Sequence, residues 1–372
     1  MVDKIHIQHV LLSLQPGGLE NGVVNVVNQL AADRFRSSVC CLKQSGEFAA
    51  RMHPDVPVYE MNWQSGNDLL LPFRLARLFR RTRPDIVHTR NAESFYYGFL
   101  AAKLAGIRCI VHSEHGRTFQ DRPLRFRIQR WFSTYTQGLF AVSHQLKSDL
   151  VRFIGIPEQR ITVLYNGVDL ERFKAGMRTS ADDVLAFEEK KLIIGSVGRL
   201  VPVKDFALLL QAVALLSRQD LIVVLVGDGP ERAALEALSA SLGIERQVRF
   251  TGHSDDVRSL LTRFDIFVLP SLSEGMSNTL LEAMASGVAC VASNVGGNPE
   301  LVTHGESGFL FPCGDVASLT SYLKQLCDDA ALRSRFGNAG RTRAHKDFSG
   351  GAMIARYEKF YLDAVTRTGV TA

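Results

Sequence analysis

No stretch of about 18 uninterrupted apolar residues occurs in this 372-residue chain, which excludes a membrane-spanning helix. No secretory leader is expected either. Ile5-His6-Ile7-Gln8-His9-Val10-Leu11-Leu12 alternates apolar and polar side chains and predicts a first strand instead. There is no internal repeat of short period and no low-complexity segment. The six cysteines, at 40, 41, 109, 290, 313 and 327, include no pair with metal-ligand spacing. They are expected to be reduced, mostly buried thiols of a cytoplasmic protein. Cys40 and Cys41 are adjacent in a strand candidate and should point to opposite faces. No GxGxxG fingerprint follows the first strand, which counts against a Rossmann dehydrogenase. His112 and His115 lack a third ligand at sensible spacing, and Asp182-Asp183 stands in a linker, so no metal is expected.

What is present is ordinary globular material: 46% hydrophobic and 22% charged residues, in a length that suits about two to three domains. The net charge of +5 is unevenly placed. Residues 1–185 hold 24 Lys and Arg against 17 Asp and Glu, and the remainder is slightly acidic. Two basic amphipathic stretches dominate the first half. One is 73–83, with Arg74, Arg77, Arg80, Arg81 and Arg83 among Phe73, Leu75, Leu78 and Phe79. The other is 122–132, with Arg122, Arg125, Arg127 and Arg130 beside Phe126, Ile128, Trp131 and Phe132. An anionic membrane surface, an anionic acceptor and a plain solvated helix face all fit such stretches. No nucleic-acid partner is expected.

Strand candidates at 5–14, 36–42, 85–90, 108–114, 137–143 and 161–165 alternate with helical stretches such as 21–32 and 93–105. A second series follows, with strands at 192–198, 221–227, 248–251, 265–270 and 288–292. Its helices fit 205–217, 231–242, 255–263, 278–286 and 316–328. This spacing predicts an α/β chain of two doubly wound domains, each a parallel sheet covered on both faces. The polar stretch 174–188 marks the boundary, giving domains 1–180 and 181–348 and a C-terminal helical segment 349–372. Ligands of such sheets bind at the carboxyl ends of the strands, so post-strand loops carry the interest.

Gly17-Gly18-Leu19-Glu20-Asn21-Gly22 follows strand one and opens a helix. Its N–H groups could approach an anion, although a tight turn reads equally well. Gly198-Arg199 and Lys204-Asp205 flank the loop after the first strand of the second series, where two cations suit a diphosphate. The fullest segment runs from Glu274 through Gly275, Met276, Ser277, Asn278 and Thr279 to Glu282 and Gly287. Residues 275–279 place free N–H groups at a helix start. Asn278 and Glu282 share a helix face, where a carboxylate can accept hydroxyl protons. Dipole stabilisation explains Glu274 but not Glu282. His88 and Arg90 end a strand, with acceptor-facing and structural roles both open.

Glu274 and Glu282, seven residues between them, followed by Ala283-Met284-Ala285-Ser286-Gly287, resemble the E-x7-E motif of family-4 retaining glycosyltransferases with the GT-B fold. Gly17-Gly18…Glu20, Ser113-Glu114-His115-Gly116, Asn166-Gly167-Val168-Asp169, Gly198-Arg199-Leu200…Lys204, Val226-Gly227-Asp228-Gly229-Pro230 and Val295-Gly296-Gly297-Asn298-Pro299-Glu300 match that family in order. The chain is also similar to bacterial exopolysaccharide sugar transferases, including those associated with PEP-CTERM sorting. Ser277 stands where relatives often have Pro, Ser286 where many have Cys, and Val288-Ala289 where Pro is frequent.

The resemblance implies two Rossmann-like domains facing across a cleft, with the last helix, around Ala352–Val365, crossing back to the first domain on Tyr357, Phe360 and Tyr361. It implies that Arg199 and Lys204 bind the donor diphosphate, that Glu282 holds the ribose, and that Glu274 contacts the transferred sugar. The backbone of Gly275, Met276, Ser277, Asn278 and Thr279 would position sugar and phosphate, His115 would sit near the reacting carbon, and Gly17 and Gly18 would touch donor phosphate and acceptor. The implied reaction is metal-independent transfer, with retention, from a nucleotide-diphosphate sugar (UDP first, GDP next) to a glycan, lipid-linked or small-molecule acceptor. It would serve cell-surface polysaccharide synthesis, in the cytoplasm or at the inner face of the membrane, with no cofactor. A non-catalytic nucleotide-sugar-binding subunit and a sugar-nucleotide epimerase are the alternatives.

Overall fold

The computed structural model describes residues 4–116, 123–170, 191–254 and 256–369. The chain divides into two units, one of Met1–Asn166 with Gly351–Ala372, the other of Gly167–Gly350. The polar stretch 174–188 and Asp182-Asp183 lie outside the described residues.

In the first unit, β1 (Ile5–Leu11), α1 (Gly18–Gln29), β2 (Phe35–Cys41), β3 (Val58–Glu60), α2 (Leu71–Thr82), β4 (Ile86–Arg90) and α3 (Asn91–Leu104) alternate along the chain. β5 (Cys109–Glu114), α4 (Pro123–Ser133), β6 (Gly138–Ala141), α5 (His144–Asp149) and β7 (Ile161–Val163) complete the series. The seven strands form one sheet in the order β3-β2-β1-β4-β5-β6-β7, with every neighbouring pair parallel. The order turns back on itself between β1 and β4, where His9 pairs with His88 in register. All seven residues of β1 are buried. The face bearing His6 and Gln8 is covered as fully as the apolar one. His6 Nε2 meets Ser38 Oγ at 2.8 Å, and Ser38 donates on to Gln8 Oε1 at 2.9 Å, so the neighbouring strand satisfies these groups.

One face of this sheet packs under α2, α3 and α4, with Leu75, Phe79, Phe95, Phe99 and Phe132 meeting Val10, Val87 and Ile110. The other packs under α1 and the last helix, α13 (Gly350–Thr366). That helix buries Met353, Ile354, Tyr357, Tyr361, Ala364 and Val365, spaced three and four apart along one stripe. Phe360 packs beside Phe140, over the bare backbone of Gly138. Cys40 joins the α2–α4 core and Cys41 the α1 core, on opposite faces of β2.

The second unit repeats the plan. β8 (Leu192–Val197), α6 (Phe206–Leu216), β9 (Leu221–Val226), α7 (Arg232–Ser241), β10 (Val248–Gly252), α8 (Val257–Leu261) and β11 (Ile266–Leu269) come first. Then follow α9 (Asn278–Ala285), β12 (Ala289–Ser293), α10 (Asn298–Leu301), β13 (Gly308–Phe311), α11 (Val316–Asp328) and α12 (Ala330–Asp347). The sheet order is β10-β9-β8-β11-β12-β13, again parallel throughout. Its reversal falls between β8 and β11, the position at which open α/β sheets receive ligands. β3 and β13, three and four residues long, have no counterpart among the sequence candidates. Among the described residues no helix is long and apolar enough to cross a membrane.

Candidate active site

The loops after β8 and β11 meet at the reversal of the second sheet. Leu272 N–H donates to Val203 O at 2.8 Å and ties one loop to the other. Arg199 follows β8 after Gly198, and Lys204 closes a short 3-10 turn, Pro202–Lys204. Lys204 Nζ reaches across to Glu274 Oε1 at 2.5 Å. The same oxygen accepts from Ser271 Oγ at 2.6 Å, and Ser271 O accepts from Ser293 Oγ on β12 at 2.6 Å. Glu274, whose side chain is 10% exposed, is thus held from two sides. Arg199 is exposed, and its guanidinium has no ion-pair partner among the described residues.

Gly275, Met276 and Ser277 lead into α9. Ser277 is its N-cap and accepts from Leu280 N–H at 3.3 Å, a role that suits serine. The N–H groups at this helix start face the same edge of the sheet as Arg199 and Lys204. Asn278, Thr279 and Glu282 are half-buried on the first two turns. Gly296, at φ +53, lies so close beneath the Glu274 carbonyl that a Cβ there would collide with it. Gly297 N–H donates to Gly275 O at 3.0 Å. The Gly296-Gly297-Asn298 run, matched in the sequence without a role, is therefore the support beneath Glu274. Asn298 is fully buried, with its Nδ2 on Ser293 O at 3.0 Å. Ser271 and Ser293 carried no motif signal and were missed.

Asp228 proves to be a turn residue that stitches the loops together. Its carbonyl accepts from Leu200 N–H at 2.9 Å and its carboxylate from Gly229 N–H at 2.7 Å. Gly227, at φ +132, allows the close approach of the Gly198 carbonyl.

The remaining candidates belong to the first unit, at the carboxyl edge of its sheet. Gly17 is the extended N-cap of α1, and Gly18 is that helix's first residue. His115 follows β5, its N–H donating to Asn91 Oδ1 at 2.9 Å. Asn91 has a left-handed backbone, φ +62, a strained conformation at the start of α3. From His115 a polar chain runs inward: Nε2 to Ser113 Oγ at 3.0 Å, Ser113 Oγ to His88 Nε2 at 3.0 Å, and His88 Nδ1 to Tyr361 OH at 2.7 Å.

Beside this chain lies Arg90, 2% exposed, whose Nη1 meets His9 Nδ1 at 2.8 Å. Among the described residues its Nε and Nη2, and His9 Nε2, make no well-formed hydrogen bond, although the guanidinium also interacts with the Tyr357 and Tyr361 hydroxyls. Burial first, and then the Arg90 charge, hold the His9, His88 and His115 imidazoles well below the usual histidine range, so all three are neutral at pH 7. His115 can accept or relay a proton but carries no resident charge. On the opposite sheet face, His112 stacks on Phe95 at 3.8 Å and contacts Glu114, which also accepts from Gln129.

Two wholly parallel sheets with the same reversing strand order, and solved glycosyltransferase structures that superpose on the chain, place it in the GT-B class of fold. The chain belongs to the family-4 glycosyltransferases: residues 16–172 match the family model described as Glycosyltransferase Family 4 and residues 177–343 the one described as Glycosyl transferases group 1. It is 33% identical to the lipopolysaccharide core biosynthesis glycosyltransferase LpsE of Rhizobium meliloti, over 92% of this chain and 94% of that one. It is 27% identical to the UDP-Gal:alpha-D-GlcNAc-diphosphoundecaprenol alpha-1,3-galactosyltransferase of Escherichia coli, over 97% and 98%. The solved structure of Anabaena Alr3699/HepE in complex with UDP and glucose superposes with a TM-score of 0.84 at 21% identity, over 96% of this chain and 99% of that one.

Proposed function

We propose that this protein transfers a sugar, with retention and without a metal ion, from a nucleotide-diphosphate sugar, UDP first, to a lipid-linked or glycan acceptor of a cell-surface polysaccharide. One observation carries the reading: Arg199, Lys204 and the start of α9 converge on the switch point of the second sheet, with Glu274 bound to Lys204. Breaking the sugar–phosphate bond builds oxocarbenium character on the sugar and negative charge on the departing nucleoside diphosphate. Arg199, Lys204 and the helix N–H groups supply positive potential where that charge grows. Glu274 contacts the sugar and Glu282 the ribose hydroxyls. His115, neutral and near the reacting carbon, accepts a hydrogen bond from sugar or acceptor, and Gly17 and Gly18 give backbone access to phosphate and acceptor. The names of the Escherichia coli and Rhizobium relatives support a lipid-linked or lipopolysaccharide acceptor. The UDP-bound neighbour supports UDP as the first donor base to test.

A thermal-shift screen against UDP, GDP, ADP and their sugars tests the donor, because a ligand of the folded state raises the apparent midpoint as ln(1 + [L]/Kd). A shift with UDP that Arg199→Ala and Lys204→Ala abolish supports the assignment. Equal shifts in wild type and both variants refute it. Transfer by the active enzyme should survive EDTA, and activity that EDTA removes and Mg²⁺ restores would overturn the metal-free mechanism.

A further inference from the structure

The helical layer formed by α2, α3 and α4 carries charge of nearly one sign. The three helices hold eight Lys and Arg and a single carboxylate, Glu93. On α2 the outer face repeats at helical spacing: Phe73, Arg74, Arg77, Arg80 and Arg81 are exposed, while Leu71, Leu75, Leu78 and Phe79 are buried. On α4 the outer face is Leu124, Arg125, Arg127, Arg130 and Trp131. By contrast α13, on the opposite face of the sheet, balances Arg356 and Lys359 with Glu358 and Asp363.

Exposed apolar groups collect on the same layer. Of the twelve large hydrophobic side chains exposed among the described residues, eight lie on these helices or the turns that flank them. Leu69 is 82% exposed, Leu70 69%, Leu124 65%, Phe73 60% and Trp131 55%. Isolated exposed apolar residues are ordinary, but a cluster among cations is not.

The layer is continuous. Arg80 Nη2 donates to Leu104 O at 2.5 Å and joins α2 to the end of α3. Lys103 Nζ lies over the Tyr135 ring at 5.8 Å, and Tyr96 OH donates to Arg125 O at 3.0 Å, joining α3 to α4 at both ends. The chain leading into α2 is fixed to the early part of α3, where Asp68 N–H meets Tyr97 OH at 3.2 Å. Leu69, Leu70 and Leu124 therefore lie toward the amino end of α3. That end is the carboxyl edge of the sheet, the edge that also bears His115.

From these observations we propose that the outer face of α2–α3–α4 docks on an anionic lipid bilayer, with Leu69, Leu70, Phe73, Leu124 and Trp131 entering the interface and the arginines on the headgroup phosphates. Apolar side chains amid arginines are the composition of a surface that lies in the membrane interface. The long arginine side chains keep their charge at headgroup level while their stems cover apolar surface. A purely polyanionic partner would use the cations and leave the leucines and Trp131 idle. Docked in this way, the His115 edge of the first unit is next to the bilayer, where the head of a lipid-linked acceptor would be presented. The docking surface itself stands whether or not the proposed reaction is correct.

The test is flotation of the 372-residue chain with extruded vesicles, either pure phosphatidylcholine or phosphatidylcholine with phosphatidylglycerol at a molar ratio of about 7:3. Wild type should float with the anionic vesicles at about 0.1 M salt and be released near 1 M, where the screening length falls to about 3 Å. Arg77→Gln/Arg81→Gln/Arg127→Gln should lower partitioning about fivefold per charge removed. Leu70→Ser/Phe73→Ser/Trp131→Ser should lower it about tenfold or more while thermal midpoint and UDP response stay at wild-type values. Wild type that remains in the soluble fraction with anionic vesicles at low salt overturns the proposal. So does a serine triple variant that floats as wild type does, since the cations would then serve some other polyanion.

Discussion

Tyr361 OH lies 2.7 Å from Nδ1 of His88, joining a helix near the end of the chain to a strand 273 residues earlier. Through Ser113 the same contact continues to His115. Both partners are fully buried, so the hydroxyl has no water to replace it. Tyr361→Phe keeps the ring in its packing but leaves His88 Nδ1 unsatisfied, at a cost of about 1–3 kcal/mol. Urea unfolding should show that loss, and kcat should fall with little change in the affinity for nucleotide. Unchanged stability would mean that the hydroxyl contributes nothing to the core.

The Lys204–Glu274 pair predicts opposite movements of binding and rate. Glu274→Gln removes a negative charge 2.5 Å from the ammonium and raises the positive potential offered to a diphosphate. UDP should bind about fivefold more tightly by calorimetry, while turnover falls about 10²–10³-fold as the contact to the sugar is weakened. Weaker binding together with slower turnover would show that the pair acts only as a scaffold.

Gly296→Ala should disturb Glu274 without touching any polar group of the site. The added Cβ meets the Glu274 carbonyl, and φ +53 is unfavourable for alanine. A stability loss of about 2 kcal/mol or more is expected, with weakened donor binding in whatever fraction folds. Wild-type stability and affinity in this variant would count against the close approach.

Acid should act first on the histidines of the first unit. His9, His88 and His115 have depressed folded-state pKa values, so the unfolded chain binds protons that the folded chain refuses. Their contribution to stability is complete above the unfolded value, near pH 6.5, and is lost as pH falls below it. The slope reaches up to about 4 kcal/mol per pH unit while all three remain neutral in the folded state. Denaturant titrations at pH 7.5, 6.5 and 5.5 measure it, and a flat profile between 6.5 and 5.5 would contradict the depressed values.

The parallel βαβ plan of both units was legible because hydrophobic runs and helical periods alternate at a spacing that allows little else. The E-x7-E segment was legible because its residues resemble a motif of a known family. Other features left no such trace. Ser271 and Ser293 look like ordinary loop and strand residues, and their value lies in converging on one carboxylate from different strands. The Gly296-Gly297 support is a long-range backbone approach that local pattern does not announce. The cover over His6 and Gln8 comes from Ser38 on the neighbouring strand, a partner 30 or more residues away that local alternation does not announce. Arg90 was left open between acceptor contact and structure. A buried guanidinium with three neutral histidines around it is a property of the assembled sheet, not of any short stretch of sequence.

The route of the chain bears on the order in which the protein matures on the ribosome. Residues 167–350 interrupt the first unit, and the two ends of this insert lie side by side: Val168 N–H bonds to Phe348 O at 2.9 Å and Gly350 N–H to Val168 O at 2.7 Å. The core against Ile5, Ile7, Ile86 and Val111 lacks Met353, Tyr357, Tyr361 and Val365 until those residues have been synthesised. The insert is complete earlier. The usual vectorial sequence is thereby inverted: the part begun first is finished last, and a nascent chain paused near residue 350 exposes an unfilled seam on its amino-terminal sheet for chaperones to guard.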